Sequence, residues 1–480
     1  MQILSTVVLI NSPKCCLQIH CQFFSVSLIS HLSFSSSSSM AASNSVQVKH
    51  VHVITPADPP PPCLLPLSAI DSQLFLRFTI EYLLIYTPSS ALDRSTISSS
   101  FRAALSQLLV FYFPLSGRVR ERPDASGLEV VSRSQGALFL EAVSDCYSAA
   151  DFDRPPRSVA EWRRFLAFSV EDVLDGSPPL VVQLTWLKDG AAAVGVGFNH
   201  CICDGIGSAE FLNSFADLAA GRLRAASELK PPPVWDRHLL NPQPQFCHRR
   251  SSSPPPEFQR VPDLCRFMSR FTDEPLVPTA VTFGKTHLTR LKSLAHSTRR
   301  PGVAAFTAFE VLAAHIWRSW ARSLKLPSNQ TLKLLFSINV RKRIKPNLPA
   351  GYYGNAFVLG CAQATAGELA EKKLDHAASL VKKAKERVGD EHVRHVAESV
   401  SESRACPDSV GVLILSQWSR LGLEKVDFGM GRPVHVGPVC SDRYCILLPV
   451  YNQTDAVKTM LAVPTSAVDK YESLVRNVAT

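Results

Sequence analysis

Between Leu180 and Asn199 hydrophobic positions alternate as strand, turn at Asp189-Gly190, then strand, with Val194, Val196 and Phe198 on one face and Gly195 and Gly197 on the other. A helix is predicted after Gly205, its stripe formed by Phe211, Leu212, Phe215, Leu218 and Ala219. Further on, Thr307-Ala308-Phe309-Glu310 has the form of a capping box and leads into Phe309, Leu312, Ala313, Ile316 and Trp320 at helical spacing. Leu332, Leu334, Phe336 and Ile338 then alternate through a strand predicted from Leu332 to Val340. Separating these two patterned regions, Leu229 to Leu264 collects Pro231, Pro232, Pro233, Pro242, Pro244, Pro254, Pro255, Pro256 and Pro262 beside the basic-serine run His248 to Ser253. Proline removes backbone donors and blocks helices, so this stretch reads as a long crossover. Both halves mix helices with strands, and no short tandem repeat supports a solenoid or propeller.

Composition narrows the class. Of 480 residues, 46% are hydrophobic and 19% charged, enough core for ordinary globular domains and too much for a fibrous, mucin-like or disordered chain. Lysine and arginine exceed acids by 51 to 41, a surplus spread along the chain rather than gathered into one arm. It favours phosphate-bearing ligands; nucleic acid is not expected, because zinc-finger spacing, a basic region with heptads and an aromatic-basic single-strand signature are all missing. Thirteen scattered cysteines suit a reducing compartment, and a cytoplasmic location is expected. No run approaches the ~18 apolar residues of a membrane span. Residues 1–39, with Cys15-Cys16, a serine run from Ser35 to Ser39 and no acid before Asp58, read as a non-native or targeting extension, and Met40 as the working start.

The segment with most chemical content is Gly195-Val196-Gly197-Phe198-Asn199-His200-Cys201-Ile202-Cys203-Asp204-Gly205. It places His200 on a strand-to-helix turn, where an imidazole titrating near pH 6.5 is suited to take a proton from an alcohol or amine. Cys201 and Cys203 lack a second C-x-x-C or a histidine pair, so no metal is expected. Asp427-Phe428-Gly429-Met430-Gly431 contains the kinase-like D-F-G, but the glycine-rich and H-R-D loops of a kinase are missing, as is a G-x-S-x-G elbow. A tight turn with Asp427 bonding nearby amides is the simpler expectation.

Together, H-x-x-x-D-G and D-F-G-x-G resemble the plant BAHD acyl-CoA-dependent acyltransferases. Leu67-Ser68-Ala69-Ile70-Asp71, Phe113-Pro114-Leu115-Ser116-Gly117-Arg118-Val119, Phe309-Glu310 through His315-Ile316-Trp317-Arg318, and Gly351-Tyr352-Tyr353-Gly354-Asn355 agree in order, so the resemblance covers Val46 to Glu472. It implies an α/β fold of two similar-sized mixed-sheet domains, chloramphenicol acetyltransferase-like, joined by a long crossover with a channel between them. The implied division is 40–228, crossover 229–275, and 276–480. It also implies a monomer without bound cofactor, taking acyl-CoA as co-substrate and a small alcohol or amine as acceptor. The implied catalytic base is His200. Asp204 would support its turn by pairing with Arg341, with Gly205 in the turn and Asp427, Gly429 and Gly431 shaping a structural loop. Ser416 is the implied oxyanion donor and Trp418 a channel wall, while Lys285, Arg290 and Lys292 are the implied CoA-phosphate contacts. Three departures stand out: Met430 where the motif has tryptophan, Asn199 where many members have histidine, and Phe215 where many have tryptophan. The alternative is a non-catalytic relative acting as a binding partner, and intact His200, Asp204 and Gly205 favour the enzyme.

Overall fold

The computed structural model describes residues 45–478 apart from 89–92, 169–172, 175, 243–252, 297–304 and 441. The expected extension over residues 1–39 and nearly all of the run His248 to Ser253 lie outside the described residues. Two six-stranded mixed sheets organise the chain, with a three-stranded sheet beside them. The first sheet runs Gln47–Ile54, Ala137–Ser144, Leu180–Leu187, Ala192–Asn199, Thr79–Tyr86 and His435–Gly437 in spatial order. The second runs Phe357–Thr365, Thr331–Asn339, Val412–Gln417, Cys445–Val450, Gln453–Pro464 and Leu276–Phe283. One short strand crosses between the halves: His435–Gly437 leaves the C-terminal region and pairs antiparallel with Thr79–Tyr86.

The hairpin expected from alternation forms as Leu180–Leu187 and Ala192–Asn199. Every residue of the second strand is buried, because both faces are covered. Gly195 explains the face that carries no side chain. A Cβ there would stand 2.0 Å from the Phe165 carbonyl oxygen, so glycine is what lets the Glu161–Leu166 turn of 3-10 helix lie directly on the sheet. On the opposite side, Phe101 of helix Arg94–Phe111 contacts Phe215 of helix Gly205–Ala219 at 5.0 Å and Phe139 of the sheet at 6.1 Å.

In the C-terminal half, Thr307 and Glu310 form both bonds of the capping box, at 3.3 and 2.8 Å, a feature that stabilises a helix by about 1 kcal/mol. Helix Ala308–Ser323 is buried nearly all round, with Trp317 and Trp320 fully enclosed. Strand Thr331–Asn339 breaks its alternation at Lys333, which is wholly buried. The reason is the crossover: the Lys333 ammonium donates to the carbonyls of Pro256, at 2.8 Å, and Gln259, fastening the proline-rich segment to the sheet. At its other end the crossover bridges Val234 to Tyr352, joined by Val234 N to Gly351 O at 2.8 Å.

Candidate active site

Strand register sets the site. Thr79 pairs with Asn199, so the start of Thr79–Tyr86 lies beside the end of Ala192–Asn199 and brings Phe78 against His200. The His200 amide donates to Phe78 O at 3.0 Å, and the imidazole packs edge-on to Phe78, 5.0 Å between centroids, and beside Phe357 at 5.9 Å. Its Nδ1 is buried without a hydrogen-bond partner. Burial between rings outweighs the nearby Asp204 charge and lowers the imidazole pKa below 6.5, so His200 is neutral near pH 7.

Asp204 has both oxygens engaged away from the imidazole. One accepts from Gly207 N at 2.9 Å, capping helix Gly205–Ala219, and from Arg341 Nη2 at 3.1 Å; the other accepts from Arg341 Nη1 at 2.7 Å and Ala356 N at 3.1 Å. Burial alone would raise its pKa, but the Arg341 guanidinium and these amides bring it below the ordinary carboxylate range. The second-half Arg341 thus holds the first-half turn by a bidentate contact.

A second buried network grips the same turn. Asp71 accepts from Ser68 N and Oγ, from Arg237 Nη1 at 2.8 Å, and from the backbone and side-chain amides of Asn355, both at 2.9 Å. Those partners pass the hold on: Asn355 Nδ2 donates to His200 O at 2.7 Å and Arg237 Nη2 to Ile202 O at 2.8 Å. Gly354 fits this geometry, since a Cβ there would fall 2.6 Å from Arg237 Nη1. Asn199 adds its own bonds, accepting from Cys201 N and donating to Val173 O, each at 3.0 Å. The cysteine sulfurs turn to separate partners, Cys201 to Leu76 O and Cys203 to Ser208 Oγ, and burial pushes the Cys203 thiol up to about 11. Among the described residues no cluster of three or more His, Cys, Asp or Glu could hold a metal.

A neutral, enclosed histidine thus sits on a turn braced by two acid-arginine pairs. The transferase family matches residues 44–476. The chain belongs to this family, the plant BAHD acyltransferases. It is 34% identical over 385 residues to an omega-hydroxypalmitate O-feruloyl transferase of Arabidopsis thaliana, covering 77% of this chain and 80% of that one. A fatty alcohol:caffeoyl-CoA acyltransferase of the same plant is 31% identical, with 88% and 96% covered. The crystal structure of vinorine synthase has the same fold, with a TM-score of 0.67 at 20% identity over 88% of this chain and 96% of that one.

Within this BAHD chain the remaining motif residues separate into three groups. Trp418 is buried and lies 4.7 Å from the ring of Tyr82, which shares the strand after Phe78. Ser416, two residues earlier at the end of Val412–Gln417, is half-buried. The Asp427 loop sits elsewhere. Asp427 Oδ1 accepts from Gly429 N and Gly431 N at 2.8 and 2.9 Å, both glycines being at φ +85°. Its Phe428 docks between Phe101 at 4.5 Å and Phe215 at 4.9 Å, while Met430 is buried in the same core. The loop therefore braces the far end of helix Gly205–Ala219, and a methionine fills the apolar position there. Lys285, Arg290 and Lys292 lie on helix Lys285–His296, where Lys285 is exposed and 3.7 Å from Asp455. Arg237 was hidden from sequence reading because it lies in the proline-rich crossover, where only its acidic partner carries a motif.

Proposed function

We propose that this BAHD enzyme transfers an acyl group from a CoA thioester to the hydroxyl of an aliphatic alcohol, with His200 as general base. The observation that carries the reading is the neutral His200 imidazole, held on its turn with Nδ1 sealed off and Nε2 left as the nitrogen for an acceptor. In the reaction, Nε2 takes the hydroxyl proton as oxygen forms a bond to the thioester carbonyl. The tetrahedral oxyanion is met by a donor, for which Ser416 is the candidate, and collapse breaks the C–S bond; the proton returns from His200 to the departing CoA sulfur. Trp418, beside Tyr82, walls the channel between domains 40–228 and 276–480, and Lys285, Arg290 and Lys292 face the CoA phosphates at its mouth. The relatives named for hydroxylated fatty acid and fatty alcohol acceptors support an aliphatic acceptor, as do the rings of Phe78 and Phe357 around the base.

The acid limb of kcat/KM tests the protonation state. Because burial depresses the His200 pKa, activity holds as pH falls past about 6.5, the ordinary histidine value, and declines only below it. A limb at or above that value would mean the titrating base is a solvated group. Stability follows the same sign. His200 and His435, the latter pushed down to about 3 by burial beside Trp162 and Phe152, stay neutral in the fold yet take up protons when unfolded, so stability falls from about pH 6.5 towards 3.

Asp204→Asn and Arg341→Ala each lower kcat/KM by about tenfold or more, because each leaves one partner of the pair buried and uncompensated. The double variant is little worse than either single one, since both changes break the same contact. Additive losses in this cycle would show that Arg341 supports the site by another route.

A further inference from the structure

Beside the turn that carries His200 the two halves meet at a small cleft of about 30 Å³, lined by Leu74, Arg77, Ser126 and Gly127 from the first half and by Ser401 and Arg404 from the second. Arg77 immediately precedes Phe78, whose carbonyl and ring hold His200. Its side chain is about three-quarters buried, at 23% exposure, and its Nε is enclosed without a hydrogen-bond partner. Arg404 comes from the end of helix Asp390–Ser403 and is half-exposed.

Both guanidiniums turn to one carboxylate. Arg77 Nη1 is 2.9 Å from Glu121 Oε1 and Arg404 Nη1 is 3.9 Å from the same oxygen. Two guanidiniums thus share one carboxylate at the cleft. Arg404 also sits at φ +50°, where helix ends normally place glycine or asparagine, and its Nη2 donates to the carbonyl of Ala125, itself at φ +55°, at 3.4 Å. Two non-glycine residues thus hold a left-handed backbone on opposite walls, and the arginine reaches across the cleft rather than back to the carbonyls of its own helix. A surface-charge role would require neither the enclosed Nε of Arg77 nor this crossing.

We propose that the cleft is an anion subsite of the substrate channel, binding a carboxylate or phosphate that one substrate carries away from its reacting group. Two substrates supply that chemistry: an acceptor that is a hydroxy acid offers its carboxylate, and the CoA donor offers its phosphates. A planar carboxylate or a phosphate meets the Nη groups of the two guanidiniums by charge-assisted hydrogen bonds. The proposal rests on the acyltransferase reading above, because the anion is defined by its attachment to a reacting substrate.

Equilibrium binding to the full chain is measured for ω-hydroxypalmitate, its methyl ester, CoA and pantetheine, with wild type, Arg404→Gln and Glu121→Gln. Both replaced side chains are substantially exposed, so the fold tolerates them. Arg404→Gln weakens the anionic ligand about fivefold, the scale of one partly exposed charged contact, and Glu121→Gln tightens it because the competing carboxylate is gone. An acceptor site moves ω-hydroxypalmitate and spares its methyl ester; a donor site moves CoA and spares pantetheine. Unchanged affinity for all four ligands in both variants overturns the proposal. Turnover is not part of this readout, so that result leaves acyl transfer intact, whereas absence of ester formation with normal binding counts against the acyltransferase reading alone.

Discussion

Replacing His200 by alanine lowers turnover by about 10²-fold or more while leaving acyl-CoA affinity unchanged, the scale and pattern of losing a positioned general base. The imidazole is already neutral, so it needs no deprotonation before accepting the acceptor's proton. Its ring is fixed by packing on Phe78 and Phe357, while its backbone is fixed independently through Phe78 O and Asn355 Nδ2. Alanine therefore removes the base without releasing the turn. Steady-state kinetics with acyl-CoA varied, paired with direct CoA binding, separate the two effects. Loss of CoA affinity equal to the loss of rate would place His200 in binding, and full activity in the alanine variant would remove it from the mechanism.

Arg237→Leu destabilises the fold by about 3–5 kcal/mol, the cost of leaving one member of a buried ion pair uncompensated. Both side chains are almost completely enclosed, Arg237 at 2% and Asp71 at 0% exposure. Leucine strands the Asp71 carboxylate with only neutral donors and frees the Ile202 carbonyl. The same change loosens the turn that carries His200, so activity falls more steeply than the folded fraction alone would require. Denaturant unfolding gives the stability difference. Adding Asp71→Asn to Arg237→Leu removes the stranded charge and recovers part of the loss; a single variant as stable as wild type would mean that the pair contributes nothing net.

Locally patterned features were open to sequence reading. The hairpin up to Asn199, the capping box at Thr307 and the helix after Gly205 each depend on neighbours within a few residues, and each forms. The family motifs marked Asp71 and Asn355 without assigning what they bond. Their contacts join residues 166 and 284 positions apart, and such pairs leave no periodic trace. Arg237 was obscured for a related reason: proline density makes its surroundings read as connection, though it braces the His200 turn directly at Ile202 O and holds Asp71. His435–Gly437 is too short for alternation to reveal, being three residues whose strand state depends on Thr79–Tyr86 alongside. Lys333 shows the converse, a charge that looks like a surface position until the crossover carbonyls cover it.

The most direct measurement is product detection when the purified full chain is given acetyl, malonyl, aliphatic and hydroxycinnamoyl CoAs against pooled alcohols and amines. Ester and free CoA should appear in equal amounts, and CoA release should require the acceptor, because the acceptor oxygen attacks the thioester directly. A protein that binds acyl-CoA yet forms no ester with any pair, or that releases CoA at the same rate without an acceptor, would contradict acyl transfer by His200.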